Sequence, residues 1–192
     1  MSVAVIGVDE VGLGCLAGPV VAAAVVLEGT IDGLADSKKL SHNKRVVLAA
    51  QIRKEALYWA IAQSSAKFIN KTNIARCHKD CIRAAVRIVR CYYPDEELIL
   101  DGDVFVKGIG DHKPIVKADG KIPSVSAASI IAKVHRDTLM VEMAANYPRY
   151  GWERNKGYGS KEHLDALEEY GVTDQHRKAY APVRRALVRR QQ

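Results

Sequence analysis

Apolar positions along the chain follow two rhythms. Residues 3–8 and 20–27 are short β-branched runs separated by a glycine-rich segment, which predicts two paired strands. Ser41 can cap a helix to about Tyr58, with Val46, Val47, Ala50 and Leu57 as part of its apolar stripe, and residues 58–65 then read as a third strand. A longer helix starts at Thr72 or Asn73 and runs to about Tyr92. There Ile74, Cys77, Cys81, Ala84 and Ile88 recur at three- and four-residue spacing, and Pro94 follows the end. Residues 97–100 predict a strand ending at Asp101, and 114–117 a shorter extended piece before Asp119. Ser124 opens a helix to about Asn146, which Pro148 closes. Residues 149–160 read as a loop, Ser160 caps a short helix ending near Gly171, and a basic helical tail follows Pro182. Without internal repeat, linker or low-complexity tract, this order predicts one mixed α/β domain over residues 1–192.

Charge narrows the function. The 192 residues carry 29 Lys and Arg against 22 Asp and Glu, a formal net charge of +7, so a polyanion such as nucleic acid is the expected partner. Two concentrations stand out as candidate contacts: the helix stripe Arg76, Lys79, Arg83, Arg87 and Arg90, and the tail Arg177, Lys178, Arg184, Arg185, Arg189 and Arg190. The longest uncharged stretch, 11–27, is interrupted by Gly12, Gly14, Gly18 and Pro19 and is shorter than the ~20 apolar residues of a membrane span. No membrane association is expected. The first residues lack a basic region and run into Asp9 and Glu10, unlike a secretory signal, so a cytoplasmic location is expected. Cys15, Cys77, Cys81 and Cys91 form no CxxC pair and read as reduced small hydrophobes rather than zinc ligands or disulfides. His42, His78, His112, His135, His163 and His176 are scattered without metal spacing and suggest no site.

The carboxylates do suggest one. Asp9 and Glu10 sit where the first apolar run meets the glycines, and adjacent acids repel unless a cation holds them. Asp101 and Asp119 end two further extended segments, so side-by-side strands would bring these acids to one sheet edge. A lone strand-end acid is usually a solvated turn residue; convergence from several strands is not. An all-oxygen cluster suits Mg²⁺ or Mn²⁺ rather than zinc, and two such ions serve phosphodiester hydrolysis. Gly12-Leu13-Gly14-Cys15-Leu16-Ala17 also matches a dinucleotide-binding fingerprint, but Gly18-Pro19 and a valine and alanine run replace the helix that motif needs. The glycines fit better as places where backbone approaches a sugar or phosphate.

Taken in order, Gly7-Val8-Asp9-Glu10-Val11-Gly12, Leu16-Ala17-Gly18-Pro19-Val20, Asp36-Ser37-Lys38-Lys39-Leu40, Asp101-Gly102, Lys117-Ala118-Asp119, residues 126–137 and Asn155-Lys156-Gly157-Tyr158-Gly159-Ser160 resemble type 2 ribonuclease H, ribonuclease HII, from residue 5 to about 180. The resemblance implies an RNase H-like fold, a mixed central sheet flanked by helices with a helical, substrate-binding C-terminal part at about 150–192. It implies a monomeric, metal-dependent endonuclease acting on RNA–DNA hybrids and on duplex DNA containing a single ribonucleotide. Its four acids fall on Asp9, Glu10, Asp101 and Asp119; Asp137 is the rival for the fourth place, and the Lys-x-Asp element favours Asp119. Gly12 and Gly14 would meet the ribose 2′-hydroxyl, Lys38 and Lys39 the phosphate backbone, and Tyr158 the sugar at the RNA–DNA junction. One position departs from the pattern: Leu13 stands where the family usually has an arginine that helps hold a phosphate. A DNA nuclease or junction resolvase of the same fold, and a catalytically silent binding module, are the competing readings.

Overall fold

The computed structural model describes residues 4–34 and 40–189. Its strands are β1 Ala4–Val11, β2 Val20–Glu28, β3 Tyr58–Ser64, β4 Glu97–Asp101 and β5 Lys113–Ile115. Its helices are α1 His42–Glu55, α2 Ala66–Lys71, α3 Ile74–Arg90, α4 Pro123–Asn146, α5 Trp152–Asn155, α6 Lys161–Tyr170 and α7 Ala181–Arg189. The sheet runs β3-β2-β1-β4-β5; β1 is antiparallel to β2 and parallel to β4, which is parallel to β5. It is therefore mixed, as the strand pattern implies.

Ser41 and Ser160 cap α1 and α6 by accepting hydrogen bonds from the Lys44 and His163 N–H groups. Two short helices escape the sequence pattern: α2, capped by Ser65, and α5, inside the expected 149–160 loop. Asp9 and Glu10 lie within β1 rather than at its end, because pairing with β2 continues through Glu10 opposite Ala22 and Val11 opposite Val21. Asp119 ends no strand either. β5 stops at Ile115, Lys117 takes a left-handed backbone (φ 57°), and Asp119 sits on a short 3₁₀ turn, Ala118–Gly120. Lys38 and Lys39 lie outside the described residues.

The chain divides into two compact units. The first contains the residues up to Val11, Val21–Gln63 and His78–Val134. In it β2 is buried along Val21–Leu27, the reading expected of a near-continuous apolar run covered on both faces. Val21, Ala23, Val25 and Leu27 pack with Leu48 and Ile52 of α1 and with Ala127, Ile130 and Ile131 of α4. Gly7 is needed where it stands: a Cβ there would collide with the backbone of Ser124 and Val125 at the start of α4.

The second unit contains Gly12–Val20, Ser64–Cys77 and the residues from His135 on. Its core is Ala17, Met140, Ala144, Tyr150, Trp152 and Ala166, with Leu16, Leu167, Val183 and Ala186 alongside. Two arginines with no exposed surface organise it. Arg136 donates to the carbonyls of Pro19 (2.9 Å), Ala17 (3.2 Å) and Lys156 (2.9 Å). Arg177 donates to those of Gly12 (2.6 Å), Leu13 (3.1 Å), Gly18 (3.0 Å) and Pro19 (2.9 Å). Arg177 is thus no part of a basic surface, contrary to its place in the expected tail; its charge is consumed by carbonyls of a glycine-rich loop that lacks a helix or ladder to satisfy them. Gly12, at φ 96°, has no room for a Cβ beside the Arg136 side chain.

Candidate active site

The register of β1 on β4 builds the centre of the site. Gly7 pairs with Ile99 and Val8 with Leu100, so one residue further on Asp9 stands level with Asp101. The Asp101 carboxylate accepts the Ala118 N–H at 2.7 Å, which ties β4 to the turn bearing Asp119. Asp9, Asp101 and Asp119 each bring a carboxylate oxygen within 4.8 Å of the others, and Asp9 and Asp119 are buried. Asp137 belongs to the second unit and is outside this group.

Such crowding is expensive without a cation. The Asp9 carboxyl is pushed up to about 8, first by burial and then by the neighbouring Glu10 charge, against opposing hydrogen bonds from Ser129 and from the Glu10 N–H at 2.7 Å. Asp101 is raised too, by burial first, with the Ala118 N–H opposing and the Asp119 charge adding to it. Three oxygen donors, one of them protonated when unpartnered, are the donor set that a hard divalent ion takes. The residues fit the group.

Proton and metal then compete for Asp9, and the sign follows. Its folded pKa of about 8 exceeds the ordinary 3.8, so the folded state binds the proton more tightly, and the resulting stability, present below pH 4, is lost as pH rises through 8. The metal-free protein should therefore lose several degrees of melting temperature between pH 5 and 8, and either saturating Mg²⁺ or Asp9→Asn should flatten that slope. A metal-free melting temperature independent of pH over this range would show that Asp9 stays ionised.

Glu10 turns elsewhere. Successive strand residues point to opposite faces; Asp9 meets Ser129 of α4, while the Glu10 carboxylate lies 3.2 Å from Nε2 of His78 on α3. Sequence reasoning passed over His78. The available signal was a polar residue directly after Cys77 and three before Cys81, on a helix stripe otherwise apolar.

In the second unit, the chain turns at Leu13 and Gly14 with Gly14 exposed and no helix following, which removes the dinucleotide reading. The Leu13 carbonyl accepts hydrogen bonds from Arg177 and the Tyr180 hydroxyl. Tyr158 is 41% exposed, with the Arg136 guanidinium 5.8 Å from its ring centroid; burial, with Cys15 next, pushes its hydroxyl up to about 12. Two histidines to which the sequence assigned no site hold its backbone. The Thr173 N–H donates to Nδ1 of His176 (3.0 Å), which leaves His176 Nε2 to donate to His163 Nε2 (3.0 Å). His163 Nε2 also accepts the Trp152 N–H (3.1 Å), so Nδ1 carries the proton that reaches the Tyr158 carbonyl at 2.9 Å. Burial lowers both imidazoles, His176 to about 3, and keeps the chain of bonds neutral.

A sequence profile of the family described as Ribonuclease HII matches residues 6–183. The chain is similar to the ribonuclease HII of Bacillus cytotoxicus, 46% identical over 180 residues that cover 93% of this chain and 68% of that protein. Its fold is similar to ribonuclease H2 from Pyrococcus horikoshii OT3, with a TM-score of 0.81 at 24% identity over 98% of this chain and 99% of that one. It is also similar to Bst-RNase HIII, solved in complex with Mn²⁺, with a TM-score of 0.70 at 20% identity over 97% of this chain and 70% of that one. The RNase H-like architecture expected from the motifs is the architecture found.

Proposed function

The chain belongs to the ribonuclease HII family, and from that premise we propose which substrates it cuts and with which residues. It is a hydrolytic endoribonuclease of the ribonuclease H type that depends on a divalent metal and acts on nucleic acid. Among the described residues no helix is long and apolar enough to cross a membrane. In our reading the monomeric chain cleaves the RNA strand of RNA–DNA hybrids, and duplex DNA on the 5′ side of an embedded ribonucleotide. Asp9, Glu10, Asp101 and Asp119 hold two ions, Mg²⁺ or Mn²⁺. The observation that carries this reading is the meeting of Asp9, Asp101 and Asp119 on two parallel strands and the turn tied to them.

When bound, two such ions activate a water and stabilise the leaving oxygen of a phosphodiester. The chain's own part is to order the ligands. Ser129 and the Glu10 N–H fix Asp9, the Ala118 N–H fixes Asp101, and Asp9 gives up its proton when it becomes a ligand. The backbone of Gly12 and Gly14 reads the 2′-hydroxyl, Tyr158 packs on a neighbouring sugar, Lys38 and Lys39 meet phosphates, and the C-terminal part from about 150 supports the duplex. Asp137, buried in the second unit, is structural. A silent binding module has no use for three clustered carboxyls, and an enzyme blind to the 2′-hydroxyl has none for this loop.

Three labelled duplexes test the proposal: an RNA–DNA hybrid, DNA with one ribonucleotide, and all-DNA, each with Mg²⁺ and Mn²⁺. The first two should be cut and the third spared; cleavage of all-DNA would return the chain to the DNA nucleases. Leu13 makes a sharper expectation. If backbone reads the 2′-hydroxyl, Leu13→Arg leaves the cleavage position unchanged, adds one phosphate contact, and steepens the fall of log affinity with log salt by about one unit. An unchanged slope would mean that position 13 does not face a phosphate.

A further inference from the structure

We propose that His78 is itself a metal ligand in this chain, sharing with Glu10 the second of the two divalent ions. The inference rests on the reading that the acids hold metal and adds a nitrogen donor to it. His78 is 5% exposed, and its Nε2 has no hydrogen-bond partner among the described residues. A buried polar atom left in that state asks for an explanation, an ion being one of the few. The fold treats its other buried imidazoles differently: both nitrogens of His163 and of His176 are hydrogen-bonded.

The separation supports the assignment. Nε2 lies 3.2 Å from Oε2 of Glu10, yet the two are not aligned for a hydrogen bond. Donors about 2.1 Å from one ion stand about 3.0 Å apart at neighbouring octahedral positions and about 3.4 Å apart in a tetrahedron. The pair is spaced as the edge of a coordination shell. Glu10 stands outside the group formed by Asp9, Asp101 and Asp119, so those three serve one ion while Glu10 and His78 offer two ligands to another, its remaining positions left to water and substrate phosphate. An imidazole among carboxylates also biases the choice of ion, since nitrogen ligands suit transition metals and add little for Mg²⁺. The nitrogen at position 78 therefore sets a preference for Mn²⁺ at that position.

Calorimetric titration of the full chain with MnCl₂ and with MgCl₂ tests this without any turnover. The wild type should bind two Mn²⁺. His78→Gln keeps an N–H able to steady Glu10 but is a poor ligand; it should weaken one Mn²⁺ site at least about tenfold while changing Mg²⁺ affinity less than about threefold. Equal losses for both ions, or no loss, would overturn the assignment. If Asp101→Asn removes a Mn²⁺ site and His78→Gln leaves both intact, only His78 is misassigned; if neither variant alters binding, the acid reading fails as well. Melting curves in chelator establish that each variant folds. Should His78→Gln unfold, ¹⁵N spectra of histidine-labelled wild type decide: Zn²⁺, as a diamagnetic stand-in, moves the His78 Nε2 resonance if that nitrogen binds metal and leaves it in place if it does not.

Discussion

Asp101→Asn should lower single-turnover cleavage of an RNA–DNA hybrid by about a thousandfold or more while leaving the protein folded and its metal-free form more stable. The rate falls because a ligand to a catalytic ion is lost: a bound cation supplies several kcal/mol of transition-state stabilisation, and about 1.4 kcal/mol is a factor of ten. The stability rises because Asp101 adds to the repulsion that, with burial, holds Asp9 protonated, and its own carboxyl is raised by burial and by Asp119. Asp9→Asn and Asp119→Asn should behave alike. Asp137→Asn should do the reverse, costing stability and sparing the chemical step, since Asp137 is buried and is not a member of the group of three. Single-turnover rates with saturating metal, paired with melting curves in chelator, check all four. A near-normal rate in Asp101→Asn would refute the metal assignment, and exchanged phenotypes of Asp119→Asn and Asp137→Asn would move the fourth acid.

Arg177→Met should cost about 3 kcal/mol of stability or more, although arginine is a residue type found mostly at the surface. Arg177 reaches four backbone carbonyls from a position with no exposure, and burial lowers its pKa. Three of those carbonyls keep a second donor: Cys15 N–H for Gly12, the Tyr180 hydroxyl for Leu13 and Arg136 for Pro19. The Gly18 carbonyl takes its hydrogen bond from Arg177 Nε, and a buried carbonyl stripped of its donor costs about 1–3 kcal/mol. Arg177→Lys should rescue little, because one ammonium cannot span the carbonyls that a planar guanidinium reaches. Denaturant unfolding of both variants measures this; a lysine variant as stable as wild type would show that one contact carries the loop.

These two cases also mark how far the sequence was readable. Asp9, Asp101 and Asp119 could be nominated because each follows or interrupts an apolar run, and runs betray strands. Their meeting could not be derived from spacing, since it depends on the register of β1 against β4, set by pairing across about ninety residues of chain. Asp119 was found for a partly wrong reason: it lies on a 3₁₀ turn beyond β5, where a left-handed Lys117 redirects the backbone. Arg136 and Arg177 were hidden in basic surroundings, as a charged residue carries no mark of the interior carbonyls it will meet. His163 and His176 were hidden by isolation, because a hydrogen-bond chain between residues more than ten apart leaves no periodic trace, and His78 by its distance along the chain from Glu10.

The position of β1 has a consequence for the growing chain. Its antiparallel partner β2 follows after a short loop and can pair almost as soon as it is made, but its other neighbour, β4, arrives only when Glu97–Asp101 has been synthesised. For that interval the apolar hairpin has an open edge on the side that will carry the acids, a surface that invites pairing with other chains. Asp9 and Glu10 lie on that edge strand, and a charge there obstructs such pairing. The same carboxylates that are costly together in the finished, metal-free protein thus act as gatekeepers while it is being made.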